Sequence, residues 1–259
     1  MDPIKCFQEC RSGVVQIFLE RDHQKIGSGS GFLVSGGIIT NSHVIRATDF
    51  DAIAIRFDES DPADQNSYIR VIVNDVIAAE SLENERDYAF LRMEEPEFNG
   101  RHVFSFSKNE TVKVGQMIAF MGYPFGMYNL TCHTGYISSI YEKNDVLVYQ
   151  IDGSVNGGNS GGPLISLDSG DVIGIVTRAQ TGLIEEQFNN LINALKSNQQ
   201  AFSKAKTSMS IGGFDPVKGF IASQAAMEVI AQNLRRSANV GIGYAFSSDY
   251  VRDHFERSV

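Results

Sequence analysis

The stretch that decides how this chain folds is Gly-Gly-Asn-Ser-Gly-Gly-Pro-Leu at residues 157–164. Four glycines surround Ser160, and glycine lets the backbone turn sharply where a Cβ would clash. Such a turn presents backbone N–H groups, and acyl transfer needs two such donors roughly 3 Å from the oxyanion that forms. We therefore predict that Ser160 is a nucleophile and that the N–H groups of Gly158 and Ser160 form its oxyanion hole.

A serine nucleophile needs a base, because its hydroxyl is inert at neutral pH, so the stretch predicts a histidine and a carboxylate elsewhere. His43 follows two short apolar segments, 31–34 and 38–39, that are joined by a Ser-Gly-Gly turn. Asp87 begins an alternating strand-like run. The chain order is His43, Asp87, Ser160, with separations of 44 and 73 residues (87 − 43 and 160 − 87). That order is the chymotrypsin-like one and differs from those of subtilisin and the α/β hydrolases.

These segments resemble the chymotrypsin-fold, or trypsin-like, serine peptidases, and most closely their bacterial HtrA/Deg-like branch. The shared motifs are Thr-Asn-x-His-Val at 40–44, an Asp-led strand at 87–93 and Gly-Asn-Ser-Gly-Gly-Pro-Leu at 158–164. The resemblance covers nearly the whole chain except about residues 180–238. It implies the following roles: His43 as general base, Asp87 as its orienter, Ser160 as nucleophile, and Gly158 and Ser160 as oxyanion donors.

The wider pattern of the chain is that of a β protein. Short strand-like runs separated by turn residues recur up to residue 177 and again at 241–247, as expected for an all-β barrel or sandwich. The resemblance implies two six-stranded antiparallel barrels with the site in the cleft between them. The expected boundaries within a single peptidase domain, 1–259, are about 10–108 for the first barrel and about 109–179 with 239–259 for the second.

The periodicity changes after Ala179. Apolar residues fall at helical spacing over about 183–202 and again over 221–234, which predicts two amphipathic helices in an insertion at about 180–238 of the second barrel. Two roles are open for this insertion: it caps the barrel and shields an edge, or it controls access to the cleft. In the second case a regulatory protein acting on the insertion is a candidate partner.

The resemblance also implies where a substrate side chain binds. Its pocket base is Ser154, six residues before the nucleophile. Because this base carries no carboxylate, we expect cleavage after small or medium apolar residues rather than after Lys or Arg. The implied pocket walls are Thr177, Arg178 and Ala179 on one side and Gly243, Tyr244 and Ala245 on the other.

Three alternatives compete with this interpretation. Gly158-x-Ser160-x-Gly162 also matches the nucleophile elbow of α/β hydrolases, in which a helix follows the serine and a later histidine, here His254, serves as base. Pro163 opposes that helix and suits a turn entering a strand. The Gly-Ser-Gly-Ser-Gly run at 27–31 lacks the Gly-Lys-Ser/Thr of a phosphate loop. A catalytically idle scaffold that binds proteins is the third alternative, and the complete triad weighs against it.

Composition limits the other functions. A formal net charge of −9 without any Lys/Arg-rich tract disfavours a nucleic-acid partner. No run approaches the roughly 18 apolar residues of a membrane span, and the first residues lack the apolar core of a signal peptide. The histidines and the three cysteines lack metal-ligand spacing, so no metal or cofactor is expected. Three cysteines cannot all pair, and we therefore expect a reducing, cytoplasmic location.

Two departures from the relatives bear on regulation. Asn159 stands where the digestive enzymes carry an acid that pairs with a newly cut N-terminus, so activation by that route is not expected. We also expect no peptide-binding PDZ-like region after Val259. The resulting hypothesis is an HtrA-like serine endopeptidase that hydrolyses peptide bonds of protein substrates through an acyl-enzyme at Ser160.

Overall fold

The computed structural model describes residues 1–46, 50–83, 85–107, 111–177, 182–204, 215–237 and 241–252. For 182–186 and 235–237 the description covers the helical backbone alone. The chain divides into two units, one made of Met1–Ala179 with Gly241–Val259 and the other of Gln180–Val240.

The N-terminal half of the first unit forms one antiparallel sheet after helix α1 (Pro3–Cys10). Its seven strands have the spatial order β5-β4-β1-β2-β3-β7-β6. Two short helices, α2 (Ser42–Ile45) and α3 (Val73–Val76), interrupt the connections. The strands are β1 (Val14–Arg21), β2 (Gln24–Val34), β3 (Gly37–Thr40), β4 (Ala52–Phe57), β5 (Ile69–Val71), β6 (Ile77–Ser81) and β7 (Tyr88–Arg92).

The C-terminal half of the same unit is a closed barrel of six strands, in the order β10-β13-β12-β11-β8-β9. The last strand, β13, lies after the helical segment in sequence but pairs with both β10 and β12. The barrel is therefore completed only when the chain returns from that segment. The strands are β8 (Met117–Gly122), β9 (Thr131–Lys143), β10 (Val146–Asp152), β11 (Pro163–Ser166), β12 (Val172–Thr177) and β13 (Ile242–Ser247).

A shared hydrophobic core joins the two sheets and fixes the cleft between them. Phe32 and Phe90 of the first sheet pack in one buried cluster with Met121 and Ile175 of the barrel. Burying a large apolar side chain contributes about 1.5–3 kcal/mol, so this cluster stabilises the packing of the two sheets against each other. Strand residues here are mostly β-branched or aromatic, which suits pleated, buried surfaces.

The predicted fold class, all-β with two barrels and a mainly helical insertion, is confirmed. One detail differs, because the first sheet has seven strands instead of six and is curled but open in the part described. Residues 68–79 form one of the strand-like runs of the sequence, and the structure breaks this run at α3. Asn74 and Asp75 at this break favour turns and are poor strand formers, because their side chains compete for backbone hydrogen bonds.

The second unit is a pair of antiparallel helices, α4 (Gly182–Lys204) and α5 (Pro216–Ser237). Ile192, Leu195 and Ala231 form its buried core. The Asp215 carboxylate accepts a hydrogen bond from the Val217 N–H at 3.0 Å, which caps α5 at its start. Among the described helices, none combines the length and apolar character needed to cross a membrane.

Candidate active site

His43 and Asp87 meet where two paired strands end. Strands β3 and β7 run side by side with Thr40 opposite Ala89, which places α2 next to the turn that precedes β7. The His43 Nδ1 atom lies 2.7 Å from Asp87 Oδ2, and the His43 backbone N–H donates to Asp87 Oδ1 at 3.0 Å. One carboxylate therefore fixes both the ring and the backbone of His43, and leaves Nε2 as the ring nitrogen that faces away from Asp87.

Asp87 is buried, with 1% of its surface exposed, and it is held by further groups. The Thr177 hydroxyl donates to Asp87 Oδ2 at 3.1 Å, and the Asn41 side chain donates to the Asp87 carbonyl at 2.6 Å. The backbone of Asp87 is left-handed, with φ of 47°, a conformation that costs free energy in a non-glycine residue and recurs at functional sites. A buried carboxylate is tolerated because hydrogen-bond donors surround it.

The loop that carries Ser160 packs against the strand that leads to His43. The Ser160 carbonyl accepts a hydrogen bond from the Ser30 N–H at 2.8 Å. Gly161 has φ of +88°, and a Cβ added there would lie 2.1 Å from the Ser30 carbonyl oxygen and 2.4 Å from Thr40 Oγ1. Only glycine permits this approach. Within the described residues Ser160 Oγ makes no hydrogen bond to His43; such bonds often tighten only when substrate binds.

The turn before Ser160 leaves two backbone donors free. Gly158 has φ of +100°, and a Cβ there would lie 2.2 Å from the Tyr123 carbonyl oxygen. The N–H groups of Gly158 and Ser160 donate to no other group in the part of the chain that the structure describes. Their peptide partners are engaged, since the Gly157 carbonyl accepts from Phe125 N–H at 2.6 Å and the Asn159 carbonyl accepts from Gly162 N–H at 3.0 Å. The arrangement suits an oxyanion, which needs free, fixed donors.

The predicted pocket residues that the structure describes lie near one another. Thr177 pairs with Tyr244 and Val176 with Ala245 across β12 and β13. Gly153 N–H donates to the Gly241 carbonyl at 2.9 Å, which ties the segment of Ser154 to the start of β13. A Cβ added at Gly243 would lie 2.3 Å from a methyl group of Val155. Arg178 and Ala179, the other predicted wall residues, lie outside the described residues.

Sequence reasoning missed three contributions to this site. Thr177 was predicted only as a residue of the pocket wall, and the structure adds a contact of its hydroxyl with Asp87. Asn41 and Ser30 were not singled out, although both are fully buried and bond to the catalytic segments. For Asn41 and Thr177 the available signal was a polar residue at the end of an apolar strand, because such a residue is buried only where it has partners. Ser30 lies in a Gly-Ser-Gly-Ser-Gly run and carried no such signal.

The three cysteines are free thiols. Cys6 and Cys10 are buried neighbours on α1, and Cys132 is partly buried beside them. Burial raises the pKa of the Cys132 thiol to about 11, and a hydrogen bond with Cys10 lowers the pKa of Cys6. In the described ranges no group of three His, Cys, Asp or Glu side chains is arranged to hold a metal ion.

Curated relatives match most of the chain. It is 29% identical over 215 residues to a probable periplasmic serine endoprotease, DegP-like, from Marinomonas sp., covering 81% of this chain and 36% of that protein. A protein of the same name from Halomonas elongata is 30% identical over 223 residues, covering 83% and 37% of the two chains. The chain spans about a third of the length of such relatives.

The predicted cytoplasmic location is contradicted by these relatives, several of which are named periplasmic endoproteases. The prediction rested on three unpaired cysteines. Cys6 and Cys10 are buried, and a buried free thiol packs as a small apolar side chain. The cysteine count therefore reports on packing and not on the redox compartment.

Two further comparisons agree with the fold. A solved serine endoprotease from Yersinia pestis superimposes with a TM-score of 0.54 at 24% identity, covering 69% of this chain and 58% of that one. The family model for a trypsin-like peptidase domain matches residues 29–175, a span that includes His43, Asp87 and Ser160. As the sequence motifs predict, the chain belongs to the trypsin-like peptidases, in their HtrA-like branch.

Proposed function

We propose that this protein is a serine endopeptidase that cleaves peptide bonds in proteins through an acyl-enzyme at Ser160. The observation that carries the proposal is the 2.7 Å contact between His43 Nδ1 and the buried carboxylate of Asp87. A carboxylate at Nδ1 selects the imidazole tautomer whose Nε2 is free to accept a proton. The free N–H groups of Gly158 and Ser160 supply the second requirement of acyl transfer.

In the proposed first step Ser160 Oγ attacks the scissile carbonyl while His43 Nε2 takes the hydroxyl proton. Asp87 stabilises the imidazolium that forms and stays ionised. The negative charge on the former carbonyl oxygen is met by the N–H groups of Gly158 and Ser160. When the tetrahedral intermediate collapses, the C–N bond breaks and His43 gives its proton to the leaving amine.

In the second step water replaces the amine. His43 takes a proton from water, the hydroxide oxygen attacks the acyl carbon, and the Ser160–acyl bond breaks with return of the proton to Oγ. The same oxyanion donors act again. Each step thus uses one proton carried by His43, and the residues regain their starting protonation at the end.

Labelling with a fluorophosphonate tests this proposal, since the reagent modifies an activated serine. We expect labelling of the wild type at Ser160 and none in Ser160→Ala or His43→Ala. Turnover of a peptide substrate should fall by about 10⁶-fold in each, because triad members act as a unit. Ser166→Ala is the control and should label normally, because Ser166 is a buried serine whose hydroxyl accepts from Gln116 and from the Asp168 N–H. A folded wild type that is neither labelled nor active would indicate an idle scaffold instead.

For specificity we propose small or medium apolar residues before the cut. Support comes from Val155, an apolar residue next to Ser154 whose methyl group would lie 2.3 Å from a Cβ added at Gly243. A peptide-library digest should show cleavage after Val, Ala or Leu, because neither Ser154 nor Val155 carries a charge to pair with a basic residue. Cleavage mainly after Lys, Arg or Asp would contradict this assignment.

We further propose that the helical unit is where a regulatory protein acts. Its α5 face exposes Met227, Ile230 and Leu234, each with more than half of its surface accessible. Replacing residues 182–236 by a short Gly/Ser linker should change kcat/KM on a folded protein more than on a small peptide, if the unit controls access. Equal kcat/KM values before and after deletion, for both substrates in a folded variant, would instead indicate a passive cap.

The location that goes with this function is proposed to be periplasmic, from the names of the relatives. Fractionation of cells that produce the native protein should recover it with periplasmic markers. Recovery with cytoplasmic markers alone would contradict this.

A further inference from the structure

We infer that the hydroxyl of Ser30 is a positioning group for the oxyanion hole, an inference that rests on the proposed function. Ser30 lies in β2 and is fully buried. Its Oγ donates to the Gly158 carbonyl at 2.6 Å and accepts from the Tyr123 N–H at 3.0 Å. The proton transfers and the oxyanion contacts of the proposed mechanism do not involve this side chain.

The inference starts from three consecutive peptide groups. The Gly157 carbonyl is held by Phe125 N–H, the Gly158 carbonyl by Ser30 Oγ, and the Asn159 carbonyl by Gly162 N–H. In a trans peptide the C=O and N–H point in opposite directions. Holding the first and third carbonyls therefore aims the N–H groups of Gly158 and Ser160.

The middle peptide, between Gly158 and Asn159, connects the two peptide groups that carry the oxyanion donors. When ψ of Gly158 and φ of Asn159 change by amounts that do not cancel, the angle between the two oxyanion donors changes with them. The hydroxyl of Ser30 opposes this rotation at the carbonyl of the middle peptide, and the Asn156 carbonyl opposes it by accepting from the Asn159 N–H at 3.0 Å. Ser30 supplies the side-chain anchor, whereas the two flanking carbonyls are held by backbone N–H groups. Glycine at position 158 places little restriction of its own on such a rotation.

The environment of Ser30 fixes the direction of its hydroxyl proton. The oxygen accepts from Tyr123 N–H, so its single hydrogen is directed to the Gly158 carbonyl. The Ser30 backbone is held in turn, because its N–H donates to the Ser160 carbonyl and its own carbonyl accepts from Thr40 Oγ1 at 2.7 Å. Among the described residues no other donor reaches the buried Gly158 carbonyl, so loss of the hydroxyl leaves it unpaired, a situation that favours peptide rotation.

Ser30→Ala and Ser30→Gly test the inference, since both remove the hydroxyl. The second variant places a glycine between the glycines at 29 and 31 and adds no new side chain. We expect kcat per active site to fall about 10-fold, the range of one lost hydrogen bond, with KM little changed. Binding of a peptide boronate, whose tetrahedral adduct places an oxygen in the oxyanion hole, should weaken by the same factor as kcat/KM. The acid limb of the pH profile, set by the general base, should not move.

Ser248→Ala is the matched control, because Ser248 is also buried and also donates to a backbone carbonyl, that of Val172 at 3.1 Å. It should lower thermal stability without changing kcat or boronate affinity. The inference is overturned if both Ser30 variants keep kcat within twofold of wild type, or if Ser248→Ala reproduces their loss. It is also overturned if boronate affinity stays constant while kcat falls. A wild type that fails fluorophosphonate labelling would instead refute the proposed function itself.

Discussion

The two halves of the candidate active site are held in different ways. In the first, the Asp87 carboxylate receives the His43 ring, the His43 backbone and the Thr177 hydroxyl. In the second, the loop around Ser160 is held through its backbone carbonyls, which bind Phe125, Ser30 and Gly162. The acid–base half is thus fixed by side chains, and the oxyanion half mainly by main-chain geometry.

This difference predicts different sensitivities. A side-chain substitution removes a contact outright in the first half. In the second half, a substitution acts by letting peptide groups turn, or by adding a Cβ where the chain has no space for one. The loss of kcat should therefore decrease from the orienting carboxylate to the oxyanion turn and then to Thr177.

The largest effect is expected at the orienting carboxylate. Asp87→Asn keeps the shape but replaces an acceptor by a donor at His43 Nδ1, which favours the wrong imidazole tautomer; kcat should fall by about 10⁴-fold. Steady-state kinetics with active-site titration measure this. Glu20→Gln is the control, because Glu20 is also a buried carboxylate. Its Oε2 lies 2.8 Å from Arg70 Nε, in a pair that includes neither His43 nor Ser160. Loss of stability without loss of kcat is expected for that variant, and a small effect of Asp87→Asn would contradict the assigned role.

The next effect tests the oxyanion half. Gly158→Ala places a Cβ 2.2 Å from the Tyr123 carbonyl oxygen in a left-handed backbone, so the Gly158 N–H must move; kcat should fall about 10²- to 10³-fold. Gly115→Ala is the control for backbone strain alone. Gly115 also has a left-handed backbone, with φ of +87°, but no atom lies within 4 Å of an added Cβ. That control should lose some stability and keep its kcat. Equal activity losses in the two variants would show that backbone strain alone explains the effect.

A smaller effect is expected at Thr177. Thr177→Val removes one of the donors to Asp87 while keeping the shape of the side chain, and the remaining His43 contacts stay; kcat should fall about 10-fold. Thr177→Ser retains the hydroxyl and should restore most of the activity. If Thr177→Val instead raised KM at constant kcat, the residue would act in the substrate pocket, as the sequence first suggested.

The smallest effect is expected at His133 and concerns the pH dependence of folding stability. His133 stacks on Phe120 with ring centroids 4.8 Å apart, its Nε2 is buried without a partner in the described part, and burial lowers its pKa. The unfolded chain takes up this proton near pH 6.5, at about the reference value, while the folded chain does so only at lower pH. The unfolded state therefore binds more protons in that window, and stability falls as pH falls through it.

Urea denaturation at about pH 7.5 and pH 5 measures this linkage. His133→Phe should lose less stability than the wild type on acidification. Burial also lowers the pKa of His102, so part of the wild-type dependence should persist in His133→Phe. Identical pH dependence in wild type and His133→Phe would exclude His133 as a contributor.

The sequence was informative where chemistry requires particular residue types in a particular order. His43, Asp87 and the glycine-rich stretch at 157–164 predicted the family, and the alternating runs predicted the all-β class. The seventh strand was missed because the break at Asn74 and Asp75 lies inside an otherwise strand-like run. The cytoplasmic location was wrong because cysteine burial cannot be read from a cysteine count.

The sequence by itself thus determined the family, the fold class and the residues proposed for chemistry, because nucleophile, base and glycine turns leave local patterns. Only the tertiary structure brought Thr177 onto Asp87, 90 residues away, and Ser30 onto Gly158, 128 residues away. Serine and threonine hydroxyls occur throughout the chain and carry no local signature of their partner. Their roles are decided by which strands the barrels bring together, and that is a property of long-range packing.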